Sequence, residues 1–369
     1  MSKHLAIIGA SYLQLPLIEK AKELNYITHV FAWRANAVGE AVADHFYPIS
    51  IVEKEEILAI CRQVGICGIC TIASDLATVT VNYVANAMGL NGNSMEATLL
   101  STNKHEMRKA FQRRGDPSPA SMLVDGDTDL ESLELHYPVI VKPTDRSGSR
   151  GICKLEDGKG LREAVAAAMG EGFEKKALIE EYAVGQEYSV EYISFHGQHH
   201  FLAMTLKYTT GAPNFIETGH LEPAPVDPET LERVKSVVEH ALDSLGLENG
   251  ASHSELKIAP DGTIRIIEIG GRMGGDCIGS DLVHYSTGID FVRAVIQVSC
   301  DEEPDLRPTC TPQPARVVFL FTQEDVDELE RLQREEPEKI LRLVDLHLQF
   351  LDSVTDSSNR AGCYIIKAE

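Results

Sequence analysis

No apolar run in the 369 residues reaches the ~20 positions a helix needs to cross a bilayer. The first ten residues, Met1 to Ala10, run straight into a strand-like segment without an apolar leader of usual length, and the expectation is a cytoplasmic protein with no membrane partner. Basic charge is scarce: 34 Lys and Arg stand against 56 Asp and Glu, giving a net charge of −22. That balance argues against non-specific binding to nucleic acid or to an anionic membrane surface. The eight cysteines include one pair with redox or metal spacing, Cys67-Gly-Ile-Cys70. It lies in an apolar run, Ile66 to Ile72, with no second pair and no histidine beside it, so these read as structural thiols in a buried strand. The first turn, Gly9-Ala-Ser-Tyr-Leu-Gln14, lacks the G-x-G-x-x-G spacing that lets backbone approach a pyrophosphate, which disfavours NAD. Also missing are a Walker A loop, internal repeats, and any Ser-His-Asp or Cys-His arrangement that would suggest a covalent nucleophile.

What is present begins as α/β. Short apolar strands at 4–9, 27–33 and 66–72 alternate with helices near 13–25, 53–64 and 76–88, the pattern of a doubly wound parallel sheet. Asn91-Gly92-Asn93 marks a boundary, and a helix carrying Lys104, Arg108 and Lys109 follows. Residues 214–220 read as a polar loop, 229–245 as a helix, 277–299 as mostly helical, and Pro304–Pro314 as a linker. Beyond it come a strand at 315–321, a charged surface helix and turn over 324–342, and closing strands at 344–351 and 363–367. The division expected is 1–92, then 93–303 with a small lobe (118–186) and a central lobe (187–303), then 304–369 completing the central lobe.

The stretch His253 to Arg272 reads as a β-hairpin around Asp261-Gly262. A two-residue loop there sets Pro260 opposite Thr263 and, counting outward, Glu255 opposite Glu268; a three-residue loop would make that pair diagonal. Directly opposed side chains lie about 5 Å apart, where two carboxylates repel unless a cation joins them. Oxygen ligands favour Mg²⁺ or Mn²⁺ over zinc. Arg272, just past the second carboxylate, adds a guanidinium suited to a phosphoryl group.

A second constellation surrounds Lys142, which closes the strand Val139–Val141 and precedes the loop Ser147-Gly148-Ser149-Arg150-Gly151. Small residues, hydroxyls and backbone N–H groups in such a loop can curl around phosphate oxygens, and Arg150 adds charge. Further on, Glu180-Glu181-Tyr182-Ala183 and Glu187 sit on strands either side of Val184-Gly185, where carboxylates could accept from an adenine amino group and ribose hydroxyls.

Lysine before a glycine-rich loop, a Glu-Glu-aromatic segment and a Glu…Glu-x-x-x-Arg hairpin together resemble the ATP-grasp superfamily. Within it, Val141-Lys-Pro-Thr-Asp-Arg-Ser-Gly-Ser-Arg-Gly151, Glu217-Thr-Gly-His-Leu-Glu-Pro-Ala224 and Arg272-Met-Gly-Gly-Asp276 resemble carboxylate–amine ligases of the L-amino acid ligase (dipeptide-forming) and carnosine-synthase type. The resemblance implies a pre-ATP-grasp parallel-sheet domain followed by a two-lobed ATP-grasp fold with antiparallel sheets. It implies an ADP-forming ligase that joins a carboxylate, that of an amino acid, to an amine through an acyl phosphate, using ATP and Mg²⁺, as a homodimer. Lys104 and Lys142 would hold phosphates under the 147–151 loop, Glu180 and Tyr182–Ala183 the adenine, and Glu187 the ribose. Glu255 and Glu268 would carry Mg²⁺, Arg272 would meet the transferring phosphoryl group, and Glu217 and His220 would line the acceptor pocket. The family usually has Asn two residues after the second metal glutamate, whereas here Gly270 stands there. Two alternatives stay open: another ATP-grasp reaction, of biotin carboxylase or phosphoribosylamine–glycine ligase type, and a non-catalytic nucleotide-binding protein.

Overall fold

A computed structural model of the chain describes residues 3–368 apart from 36, 147, 149, 213–214 and 352–359. Its first sheet is parallel, formed by β1 (Lys3–Ile8), β2 (Tyr26–Phe31), β3 (His45–Tyr47) and β4 (Gly68–Cys70) in the order β3-β2-β1-β4. Leu5 and Ile7 bury on one face and Ala6 and Ile8 on the other, so β1 is a continuous apolar run rather than an alternating one. Helix α1 (Leu15–Glu23) covers the first face through Leu17, Ile18 and Ala21; α2 (Lys54–Val64) and α3 (Asp75–Met88) cover the second. The strand order reverses between β1 and β4, and the crevice of such a sheet opens there, beyond the carboxyl ends of the strands.

Two short helices then turn the chain toward that crevice. Ser94 caps α4 (Met95–Thr102), and Asn103 both ends α4 and caps α5 (Lys104–Arg114) by accepting from the N–H groups of His105 and Glu106. The abrupt join buries Lys104 as the first residue of α5.

The middle of the chain forms an antiparallel sheet of β5 (Ser121–Val124), β6 (Val139–Pro143), β7 (Cys153–Leu155) and β8 (Ala177–Glu181), in the order β5-β8-β6-β7. Helix α6 (Leu161–Glu171) packs Leu161, Ala164, Val165 and Ala168 against Val139, Val141 and Ile179.

The remaining strands make one eight-stranded sheet: β9 (Gln186–Phe195), β10 (Gln198–Thr209), β11 (Glu217–Glu222), β12 (Gly250–Ile258), β13 (Ile264–Gly270), β14 (Ala315–Phe319), β15 (Ile340–Val344) and β16 (Cys363–Lys367). Their order is β13-β12-β9-β10-β11-β14-β16-β15. On one face α7 (Pro228–Leu245) buries Val234, Val238, Ala241 and Leu242 against Val190, Tyr192, Met204 and Leu256. Past α8 (Val283–Thr287), α9 (Phe291–Ser299) packs between this sheet and the parallel one, sharing a core with Leu5, Ile7, Ile193 and Ala251. Helix α10 (Gln323–Glu335) lies near the edge, opened by a Thr322–Asp325 capping box. No helix among the described residues is long and apolar enough to cross a membrane.

Two expectations are corrected, and one strand is added. The polar loop over 214–220 is instead largely strand, since β11 begins at Glu217. The strand expected over 344–351 ends where it should start: β15 is Ile340–Val344, overlapping the end of the stretch read as helix and turn. The long β10 went unread because Leu202 to Lys207 are all buried, and a strand covered on both faces has no two-residue period to betray it.

Strand β11 closes on Glu222, fully buried, where Thr205 Oγ1 and Ser286 Oγ donate to it at 2.5 and 2.6 Å. Burial pushes its carboxyl up to about 7. The folded chain therefore holds a proton that the unfolded chain releases above the ordinary glutamate range, and this stabilisation fades as pH rises through about 7. Glu222→Gln, neutral and similar in shape, is expected to raise stability at pH 8 by on the order of 2 kcal/mol and to lose that advantage at pH 4. Chemical denaturation at the two pH values checks this; a Gln variant that follows the wild-type pH profile would contradict it.

Candidate active site

The β12–β13 hairpin turns through three residues, not two. Ala259 N donates to Thr263 O at 2.9 Å and Gly262 N to Ala259 O at 2.8 Å, so Ile258 pairs with Ile264 and Leu256 with Ile266. The pairing then slips by one residue between Glu255 and Leu256, leaving Ile267 as the extra residue of a β-bulge. The bulge restores the alignment that the longer loop would have made diagonal, and Glu255 stands directly opposite Glu268. Two compensating irregularities give the register expected from the simpler turn.

Each carboxylate meets its own lysine. Lys207 Nζ, from β10, donates to Glu255 Oε1 at 2.7 Å; Lys104 Nζ, from the start of α5, donates to Glu268 Oε1 at 2.7 Å. Lys207 also lies 3.1 Å from Glu187 and 3.6 Å from Glu217. Burial alone would lower its pKa, but Glu255, Glu187 and Glu217 hold the ammonium well above its usual range. Behind Glu255, His253 Nε2 approaches Oε1 at 3.5 Å while Nδ1 bonds to buried Glu191, whose other oxygen accepts from Gly274 N at 2.9 Å. Burial opposes the charge on His253, yet Glu191 and Glu255 push its pKa up to about 9. A Cβ at Gly274 would fall 2.5 Å from Glu191 and 2.7 Å from His253, so this position is glycine for space.

Lys142, at the end of β6, is buried with Glu180 of β8, Nζ to Oε2 being 2.5 Å. Arg108 Nε lies 2.9 Å from the other oxygen of Glu180, and Arg108 Nη2 donates to the carbonyl of the bulge residue Ile267 at 2.6 Å. Glu180 thus joins two cations, which hold its carboxyl low against the raising effect of burial. Glu180, expected to hold adenine, lines the cleft with its oxygens facing Lys142 and Arg108.

All of these groups except Arg108, Glu191 and Gly274, which stand behind its wall, line one cleft of about 1040 Å³ between the smaller antiparallel sheet and the large one. Glu181, Tyr182, Ala183 and Glu187 line it too, with Lys154 Nζ 4.1 Å and Lys257 Nζ 5.1 Å from the Tyr182 ring centre. Gly148 lines it in a left-handed conformation (φ +74°) that favours glycine, and Gly151 is left-handed as well (φ +69°). Ser147 and Ser149 lie outside the described residues. Arg150 borders a neighbouring cleft with Lys104, Arg146, Asp75 and Glu268. Lys104 also donates to Arg146 O at 2.7 Å, tying the base of the glycine loop to the acidic pair.

Arg272 reaches out of the large sheet to Asp75, the first residue of α3, by two bonds: Nε to Oδ1 at 2.8 Å and Nη2 to Oδ2 at 2.9 Å. This fork fixes the guanidinium in the cleft and joins the parallel-sheet region to the site. It also accounts for Gly270, where an added Cβ would fall 2.8 Å from Asp75 Oδ1 and 3.2 Å from the Arg272 guanidinium carbon. Glu217 lines the cleft, with Arg360 Nη1 3.9 Å from its Oε2. His220 is the exception. It is fully buried in β11 beside Phe319 (ring centres 5.5 Å apart), outside the cleft lining, and burial lowers it to about 3. Neither ring nitrogen has a hydrogen-bond partner among the described residues, so the pocket-lining expectation for His220 is corrected to a neutral imidazole packed behind the site.

Arg108, Lys207, Asp75, His253 and Glu191 were missed as site residues. Arg108 was within reach, since it lies one helical turn after Lys104 on α5. Lys207 and Glu191 lie in buried strands where no spacing marks a charge as functional, and Asp75 is brought to the site only by tertiary packing.

Residues 135–281 match the ATP-grasp domain. The chain carries an ATP-grasp domain. The chain is 24% identical over 268 residues to alanine–anticapsin ligase of Bacillus subtilis (strain 168), covering 67% of this chain and 56% of that protein. It therefore spans little more than half the length of that relative. The fold is similar to an L-amino acid ligase from Bacillus licheniformis (TM-score 0.81, 23% identity, 99% of this chain and 93% of that one). It is also similar to a phosphoribosylglycinamide synthetase from Anaerococcus prevotii (TM-score 0.76, 21% identity, 100% and 95%).

The ATP-grasp cleft fits Mg²⁺ as far as its donors go. No group of three or more His, Cys, Asp or Glu among the described residues could hold a metal, so the protein offers the opposed pair Glu255 and Glu268. Mg²⁺ is commonly held by one or two carboxylates plus substrate phosphates and water, and this donor set suits that arrangement. Gly270→Asn, which restores the usual amide ligand, is expected to collide with the Asp75–Arg272 fork, destabilise the protein by ~1–3 kcal/mol and slow ATP turnover. Thermal melts and ADP release measure both, and a faster, equally stable variant would show that the fork does not decide this position.

Proposed function

We propose that the protein is an ATP-dependent, ADP-forming ligase that joins the carboxylate of an amino acid to an amine through an acyl phosphate. The observation that carries this reading is the Glu255–Glu268 pair, set in one cleft with Lys104, Lys142, Lys207 and Arg272. Cations of that number around two opposed carboxylates suit a polyphosphate bound with its metal. Lys104 and Lys142 hold phosphate oxygens, and the loop with Gly148, Arg150 and Gly151 closes over them and keeps water from the acyl phosphate. Tyr182 and Ala183 offer backbone and ring to adenine, and Glu187 offers its carboxylate to the ribose. Arg108 acts through Glu180, fixing the direction of Lys142. Glu255 and Glu268 would hold Mg²⁺, which would supply neutralisation of charge on the groups being parted.

Arg272, held by Asp75, is aimed at the oxygens that gain charge as the phosphoryl group moves to the carboxylate. Amine attack on the acyl phosphate then forms the new C–N bond and releases phosphate. Glu217, at the cleft wall, is suited to pair with an ammonium group. The amino-acid substrate class draws support from the similarity to alanine–anticapsin ligase, and the division at residues 92 and 303 remains part of the same reading. Similarity of fold does not separate the amino-acid ligases from the phosphoribosylglycinamide synthetase, so the product must.

Incubation with MgATP and amino acids, singly and in pairs, should release ADP only when two components are present, with a product lighter than their sum by one water. Release that depends instead on phosphoribosylamine or on biotin and bicarbonate would overturn the amino-acid reading. Glu268→Gln and Arg272→Ala should each cut ADP formation by at least ~10³-fold while circular dichroism shows the fold retained. Near-wild-type turnover in either variant would remove that residue from the site.

A further inference from the structure

Cys67 and Cys70 have a redox-like spacing, yet they do not face each other as partners. Cys70 lies within β4, buried, and burial pushes its thiol well up. Cys67, just before β4, turns to Cys300 at the C-terminal end of α9, with Sγ to Sγ 3.5 Å. The two residues are 233 positions apart in the chain. They meet where the parallel sheet packs against the helix that joins it to the large sheet. Both are half-buried, whereas Cys277 and Cys363, another close pair at 4.0 Å, are buried in the core. Gly68 explains the closeness: a Cβ there would lie 2.6 Å from Ser299 O and 2.8 Å from Cys300 Sγ, so the backbone of β4 rests against the end of α9.

We propose that Cys67 and Cys300 form a redox modification site, in which a peroxide converts the thiol pair into a disulfide that ties the parallel sheet to α9. The two sulfurs differ in role. The hydrogen bond from Cys300 is the largest influence lowering the Cys67 thiol, to about 7, and Lys3 contributes; Cys300 is raised in turn. Cys67 acts as the attacking thiolate and Cys300 as the thiol that resolves it. The Cys67 thiolate attacks one oxygen of hydrogen peroxide, the O–O bond breaks, and Cys67 sulfenic acid and hydroxide form. Cys300 sulfur then attacks Cys67 sulfur, the S–O bond breaks, and the departing hydroxide takes the Cys300 proton as water. In sum two thiols and one peroxide give one disulfide and two waters. An approach from 3.5 Å to about 2.05 Å completes the bond, a movement available to side chains at a strand entry and a helix end.

The consequence reaches the ATP-grasp site by short links. Beyond β4 the chain leads to Asp75, which holds Arg272, and α9 also packs on β12, which carries Glu255. The test does not depend on the ligase reading. The full chain is treated with one equivalent of hydrogen peroxide, its remaining thiols are alkylated, and peptides are mapped without reductant. The expected result is a dithiothreitol-reversible peptide pair containing Cys67 and Cys300, with six alkylated cysteines in place of eight. Cys70→Ser should leave this pair intact, and Cys300→Ser should stop at a Cys67 sulfenic acid that a dimedone probe labels. Cross-linking of Cys67 to Cys70, over-oxidation of Cys67 with Cys300 still free, or eight unreacted thiols would each overturn the proposal.

Discussion

Two carboxylates facing each other across a hairpin are the constraint on which the rest of the site depends. Glu255 and Glu268 are in direct register, a placement that repels unless positive charge is brought to it. The chain brings that charge from separate elements: Lys104 from a helix start, Lys207 from the centre of the large sheet, and Arg272 from the segment beyond the hairpin. Both lysines have a second attachment, and Arg272, which acts on the pair through space, is anchored from behind. Lys104 reaches the base of the glycine loop, Lys207 reaches Glu187 and Glu217, and Arg272 reaches Asp75. A single electrostatic requirement thus connects the parallel sheet, the small antiparallel sheet and the large sheet. A bound nucleotide with its metal would exchange partners with these groups: phosphate oxygens for the lysines, Mg²⁺ for the glutamates.

The Arg108–Glu180–Lys142 set is arranged differently. All three side chains are almost fully buried, and such ion groups seldom repay their desolvation in stability. Its value lies in placement. Glu180 holds Lys142 at the end of β6, and Arg108 joins both to the backbone of the bulge beside Glu268. The bulge is therefore part of the site as well as a register device, since it corrects the Glu255–Glu268 alignment and presents a carbonyl to Arg108.

Much of this was legible in the sequence because it resides in local spacing. The alternation of apolar runs and helices foretold the parallel sheet, and Asp261-Gly262 located the hairpin that sets the two glutamates face to face. The register came out as expected although the turn did not, because a bulge is a tertiary accommodation that turn residues do not encode. Lys207 and Glu191 were silent, as their partners are distant in sequence and their strands are buried on both faces. Gly270 was visible as a departure from the family pattern, and its cause became visible only with Asp75, nearly two hundred residues away, beside it. His220 shows the opposite failure: a motif match placed it at the acceptor pocket, and packing against Phe319 puts it behind the sheet surface.

The central claim is that the opposed glutamates hold the metal that accompanies the nucleotide. Calorimetric titration of ADP into the protein, with and without Mg²⁺, tests it before any acceptor is known. Wild type is expected to bind ADP at least ~10-fold more tightly with Mg²⁺, a coupling of about 1.4 kcal/mol, and the Glu255→Gln/Glu268→Gln double variant to lose that difference while still binding ADP. Equal ADP affinity in wild type with and without Mg²⁺, or an undiminished Mg²⁺ effect in the double variant, would contradict the account.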